Sequence, residues 1–236
     1  MLNFECERLS GDGRGVTGHV AIEPSCLVVA GWTGRDVHAI EHHIAELERL
    51  GVPRPSTFPL YYRASRALLT QDDAIEALGP DSSGEAEPVL FFAAGEWWLT
   101  VGSDHTDRKV ESYSVAVSKQ MCAKPVARHA WRWADVAERQ DGIALRSRIH
   151  EDGRWLAYQE GTLASIRPLE SLRDGWLQGR APAPGTFVSC GTLGAIPNAA
   201  GTGIRPAAQM EIEIDDPALG RRIVHRYRVE TLPVVA

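Results

Sequence analysis

The chain has 236 residues, 25 basic against 31 acidic, with 44% hydrophobic, 24% charged and 7% aromatic residues. That content supports a packed core, and a formal charge of -6 with both signs interspersed argues against a dedicated nucleic-acid binder, which needs a basic block to neutralise phosphates. The longest apolar run, Pro88 to Gly95, has the length of a strand and falls well short of the roughly 18 to 20 residues of a membrane span.

In chain order, the opening stretch MLNFECERLSGDGR is acidic and carries no apolar signal segment. Four dispersed cysteines without a CxxC pair fit reduced thiols, so a cytoplasmic protein is expected. Residues 1–25 read as a small N-terminal strand region and 26–236 as the main domain. Period-two and continuous apolar runs predict strands at Cys26–Val29, Val89–Ala93, Trp97–Val101, Tyr113–Lys119, Ile143–His150, Thr186–Cys190, Met210–Ile214 and Ile223–Val229. A helix is predicted over Val37–Leu50, where Ile40, Ile44, Leu47 and Leu50 recur at helical spacing before Gly51 and Pro53 stop it. Short helices are expected at Trp133–Glu138 and Thr162–Arg173. Glycine (22) and proline (14) are scattered, with no linker or repeat. These signals predict an α+β, β-rich fold with few short helices.

Five constellations could carry chemistry. Glu85 and Glu87 share one face at the entrance to an apolar strand, a pattern suited to a hard divalent ion or to a solvated strand end. Glu211 and Glu213 have the same spacing but alternate with Met210, Ile212 and Ile214, as on the wet face of a half-buried strand, so spacing alone decides nothing. The turn Gly102–Arg108 offers Asp104, His105 and Asp107 as ligands and Arg108 as an anion clamp, or is simply a polar turn. In Tyr113–Lys119, period two puts Tyr113, Val115, Val117 and Lys119 on one face, with a lysine ending an apolar row. On the predicted helix, His38/Glu41 and His43/Glu46 are i, i+3 pairs, either general-base dyads or charged surface. Finally, Ser189–Thr192 ends a strand in Gly-Thr, able to offer N–H groups to a ligand oxygen.

Taken in order, these motifs resemble the fumarylacetoacetate hydrolase superfamily, from about Cys26 to Leu232. Glu85-Ala86-Glu87 resembles that family's E-x-E metal ligands, and Ser103–Arg108 its N-D-V-S-A-R turn, which puts a third carboxylate at Asp104. Ser118-Lys119 resembles its G-K-S lysine, Tyr158–Gly161 its R-Q-x-G, and Pro184–Thr192 its closing PGD...TGT element. The departures are Ser103 for asparagine, Lys109 for aspartate, and Arg63 where the F-x-K-P lysine would stand. The resemblance implies a mixed β-sandwich or β-roll and Mg²⁺ or Mn²⁺, with Ca²⁺ as a further candidate, held by Glu85, Glu87 and Asp104. It also implies a base from His43/Glu46 or His38/Glu41, and Lys119 opposing negative charge. Arg108, Gln159, Gly191, Thr192 and Arg63 would contact the substrate. The expected activity is hydrolysis of a C–C bond in a small 2-oxo acid or 1,3-dicarbonyl, by a homodimer. Decarboxylation or keto-enol isomerisation on the same site, and a catalytically silent small-molecule binder, are the alternatives.

Overall fold

A computed structural model of the chain describes residues 1–38, 40–41, 44–45 and 54–235. Two sheets dominate it. The larger has eight strands in the spatial order Gly15–Ile22, Leu2–Leu9, His129–Arg132, Glu96–Ser103, Ala86–Ala93, Thr186–Ser189, Cys26–Gly31 and Leu60–Ala64. The smaller has five, Arg154–Thr162, Ala144–Glu151, Gln209–Asp216, Arg221–Leu232 and Ala74–Leu78. Seven of the eight predicted strands lie in these sheets with their ends moved by a few residues. The architecture is α+β and β-rich, as expected.

Burial explains why the central strands read as unbroken apolar runs. Ala86–Ala93 is covered on both faces: Ala86 and Leu90 join one core, while Val89, Phe91 and Ala93 join another. The first core fills the space between the sheets with Leu90, Leu99 and Val101 against Leu145, Ile149, Ile212, Ile214 and Tyr227. The second lies on the other side of the large sheet, where Phe4, Phe91 and Phe187 stack with centroids 4.2 and 5.2 Å apart. Glu87 points to this second side, so a carboxylate is committed to an apolar interior unless something answers its charge.

Several expectations need correction. Tyr113–Lys119 is not a strand: Val115–Ser118 is a short helix, capped by the Ser114 hydroxyl accepting from the Val117 N–H at 3.3 Å. The apolar face therefore does not exist, and Tyr113 and Val117 are exposed. Trp133–Glu138 divides between two 3₁₀ turns, Trp133–Asp135 and Ala137–Gly142. The helix expected at Thr162–Arg173 is a 3₁₀ turn at Leu163–Ser165 and then Leu169–Leu177, because Pro168 separates them. Residues 37, 38, 40, 41, 44 and 45 are helical, as predicted. Among the described residues no helix is long and apolar enough to cross a membrane.

Candidate functional site

The strand Ala86–Ala93 and the turn after Glu96–Ser103 bring three carboxylates together. Oxygens of Glu85, Glu87 and Asp104 all lie within 4.8 Å of one another. The approach depends on Gly84, where a Cβ would sit 2.2 Å from the Met210 sulfur and 2.3 Å from the Tyr227 hydroxyl. The Asp104 N–H donates to the Glu85 carbonyl at 3.0 Å, and the Glu85 N–H donates to Ser103 Oγ at 3.2 Å. Ser103, which stands where the resembled family has asparagine, thus ties the two carboxylate-bearing segments and also meets Tyr227 Oη at 2.8 Å.

Each carboxylate has its own environment. Asp104 faces two ammonium groups, Lys119 Nζ at 2.6 Å and Lys124 Nζ at 2.8 Å. Burial alone would raise its pKa, but the two lysines outweigh that and hold the carboxyl below the usual carboxylate range. Glu87 accepts from the Ser189 hydroxyl and from the Gly191 N–H at 3.2 Å. These neutral donors do not offset burial and the charge of Asp104, which push Glu87 up to about 8. Glu85 is raised as well, by burial, against the pull of Arg108 at 3.2 Å. Arg108 also donates to Ser83 Oγ and to Glu111, both at 2.7 Å, and Glu111 lies 3.5 Å from Lys119. Four carboxylates (Glu85, Glu87, Asp104, Glu111) therefore meet three cations (Arg108, Lys119, Lys124).

This donor set fits a hard divalent cation. Oxygens bound to one Mg²⁺ or Ca²⁺ at roughly 2.0–2.6 Å lie no more than about 4–5 Å apart, which is the spacing found. Among the described residues, neither Asp104 oxygen accepts a hydroxyl or backbone hydrogen bond, so lone pairs remain for an ion. His105 and Asp107, the other potential ligands of the turn, are used elsewhere. The His105 ring meets Tyr227 Oη at 3.1 Å and Ser82 Oγ at 3.0 Å; burial, with Lys124 and Arg108 nearby, pushes it down to about 3. Asp107 caps the helix Arg108–Glu111 by accepting from the Val110 N–H at 2.9 Å.

The remaining predicted residues divide into supports and outliers. Gln159 is buried with its amide fully engaged. Its oxygen accepts from the Ala86 N–H at 2.8 Å and Ser147 Oγ at 2.7 Å, and its nitrogen donates to Thr192 Oγ1 at 2.6 Å and the Leu193 carbonyl at 2.7 Å. Thr192 Oγ1 in turn donates to the Ala86 carbonyl at 2.8 Å. The two side chains thus clamp both peptide groups of Ala86, between Glu85 and Glu87. Gly191 has φ +93° and is packed so tightly that a Cβ would overlap Thr33 Oγ1. Arg63 is exposed, its guanidinium 5.4 Å from the centre of the Trp176 ring. Glu41 pairs with Arg54 at 2.6 Å on the surface, and the His38 N–H donates to Asp36 at 2.9 Å. His43 and Glu46 lie outside the described residues. Lys124 and Glu111 escaped sequence reasoning. The signal for Lys124 was a lysine inside the otherwise apolar Cys122–Ala127, and Glu111 carried none.

Solved structures share this architecture. The apo form of 2-keto-3-deoxy-D-arabinonate dehydratase matches at TM-score 0.61 and 12% identity, covering 94% of this chain and 86% of that one. The same dehydratase complexed with magnesium and 2,5-dioxopentanoate matches at 0.58 and 16%, covering 89% and 74%. The 4-oxalocrotonate decarboxylase from Pseudomonas putida G7, complexed with calcium and acetate, matches at 0.55 and 14%, covering 89% and 78%. At such identities the likeness establishes the fold alone. Comparison with curated proteins gives no match. A family model described as "Protein of unknown function (DUF2848)" matches residues 30–227, and the chain belongs to that family.

Proposed function

We propose that this protein is a fumarylacetoacetate hydrolase-like enzyme that uses Mg²⁺ or Mn²⁺ to cleave a C–C bond in a small 2-oxo acid or acylpyruvate-like dicarbonyl. The observation that carries this reading is the convergence of Glu85, Glu87 and Asp104 within 4.8 Å, flanked by Arg108 and Lys119. The magnesium and calcium named with the two structural neighbours, and the oxo-acid substrates in their names, support it. When bound, a divalent ion supplies Lewis-acid stabilisation to the oxygens of a 2-oxo acid as negative charge builds on them.

The chain's own residues do the rest. Glu85, Glu87 and Asp104 hold the ion; Gln159, Thr192, Ser189 and Gly191 hold the ligands still. Arg108 and Lys119 attract and orient the substrate carboxylate. One histidine–glutamate pair, His43/Glu46 or His38/Glu41, takes the proton of a water as its oxygen attacks the distal carbonyl carbon. The C–C bond electrons then pass to the 2-oxo acid fragment, which is protonated at carbon, and the distal fragment leaves as a carboxylate.

Decarboxylation is a second reading, favoured by the decarboxylase among the neighbours. It uses the same carboxylates but no attacking water. The test begins with Mn²⁺ titration of metal-stripped protein by calorimetry, beside a folded Glu85→Gln/Glu87→Gln double variant. One ion per chain, lost in the variant, is expected. Turnover of acylpyruvates and oxo acids in ¹⁸O-water then separates the readings. Label in a new carboxylate means hydrolysis; CO₂ with no second acid means decarboxylation. Absence of Mn²⁺ binding at millimolar concentration, with oxalate present as well as without it, would sink both.

A further inference from the structure

Lys124 has no counterpart among the motifs that carry the family resemblance, yet it is one of the most confined charges in the molecule. Its side chain is 5% exposed, and Nζ lies 2.8 Å from Asp104 Oδ1 and donates to the His105 carbonyl at 2.5 Å. Its backbone is pinned in the short strand Lys124–Pro125, paired with Leu69–Thr70. A buried ammonium held this way cannot swing out to water, so its charge acts on the centre whatever else binds there.

The charges around the ligands show what that does. Counted with every carboxylate ionised, as an ion requires, four carboxylates and three cations give the centre about -1, and a divalent ion takes it to about +1. Without Lys124 the same two states are about -2 and 0. Lys124 therefore opposes the bare ion, because it sits on the ion's own ligand, and it supplies the surplus positive charge that favours an anion once the ion is in. Lys119 also touches Asp104, but it shares its charge with Glu111 at 3.5 Å.

We infer that Lys124 is a positioning residue that sets the charge of the centre: it holds Asp104 in place, keeps affinity for a bare divalent cation low, and makes tight loading depend on an anionic oxo acid. This rests on Glu85, Glu87 and Asp104 being the metal ligands. Coupling of that kind is reciprocal, so the anion strengthens the ion as much as the ion strengthens the anion.

The experiment titrates wild-type, Lys124→Met and Lys124→Gln proteins with Mn²⁺, with and without saturating oxalate, by calorimetry and by the electron paramagnetic resonance of free Mn²⁺. Wild-type protein is expected to bind Mn²⁺ about tenfold or more tightly with oxalate present. The two variants should bind Mn²⁺ alone about tenfold more tightly than wild type and gain less from oxalate. Variants that bind Mn²⁺ alone no better than wild type overturn the inference while leaving the metal centre standing. Wild-type protein that binds no Mn²⁺ overturns the metal centre itself and this inference with it. A variant that unfolds without ion and is rescued by millimolar Mn²⁺ supports the inference, since the ion replaces the missing charge. Failure of both variants to fold at any Mn²⁺ concentration overturns it.

Discussion

Glu85 and Glu87, at the head of strand Ala86–Ala93, have the same spacing as Glu211 and Glu213 in strand Gln209–Asp216. The second pair faces arginines placed opposite by the sheet register: Arg146 lies across from Glu213, and Arg226 across from Glu211. Their contacts are 2.9 and 2.6 Å, and the two arginines are 35% and 57% exposed, so the glutamates are answered by partly solvated guanidiniums, Arg146 being shared with Asp215. The first pair is turned inward beside Asp104. There, among the described residues, Glu87 receives neutral donors alone, from Ser189 and Gly191. Identical spacing thus yields an arginine-paired charge ladder in one sheet and a concentrated set of hard oxygen donors in the other. The difference lies in what each fold places opposite the glutamates.

The sharpest way to break this comparison is to neutralise one member of each pair. Glu87→Gln should abolish Mn²⁺ binding at millimolar ion in calorimetry, whereas Glu213→Gln should leave the proposed centre unaffected. Equal effects from both variants would end the distinction.

A stability test comes next. Asp216 is 1% exposed at the end of the ladder strand and is held by Arg139 at 3.0 Å and Arg221 at 3.2 Å. Asp216→Ala takes the carboxylate from Arg139, while Arg221 keeps Glu7 at 2.6 Å, and should cost about 2 kcal/mol in urea unfolding. Gln159→Met releases the backbone at Ala86, between Glu85 and Glu87. It should cost about 2 kcal/mol and weaken Mn²⁺ binding roughly tenfold, which sharpens the contrast with a purely structural amide.

Acid unfolding gives a smaller effect. Burial would raise the Asp216 carboxyl, but Arg139 and Arg221 outweigh it and hold the group below its usual 3.8. A depressed carboxyl contributes stability above its unfolded pKa and loses it as pH falls through the folded value. Wild-type stability should therefore decline below about pH 4, and Asp216→Asn should flatten that decline. A parallel decline in both would remove Asp216 from the account. Smallest of all, Glu211→Gln should change unfolding free energy by less than about 1 kcal/mol, because its partners are exposed.

The central strands were legible because burial on both faces writes a continuous apolar run into the chain, as in Val89–Ala93 and Thr186–Ser189. Edge strands were harder. Ala74–Leu78 pairs in parallel with residues 228–232, more than 150 positions away, and its own pattern is too short to announce itself. Seven residues of alternating apolarity at Tyr113–Lys119 suited a strand locally, but the Ser114 cap opens a short helix over Val115–Ser118 instead. Glu85, Glu87 and Asp104 could be picked out by motif. Their convergence was not calculable from spacing, as Glu211 and Glu213 demonstrate.

By itself, then, the order of residues determined the sheet-forming runs, the two-glutamate pattern and the polar turn, because each depends on neighbours within a few positions. Tertiary structure alone decided which glutamates face inward. It set Gln159 and Thr192 to clamp the Ala86 peptide rather than stand free, and it carried Lys124 from an apolar stretch onto Asp104. The physical reason is the same in each case. The state of a buried charge depends on every group within a few ångströms, and folding draws those groups from strands and turns that lie far apart in the chain.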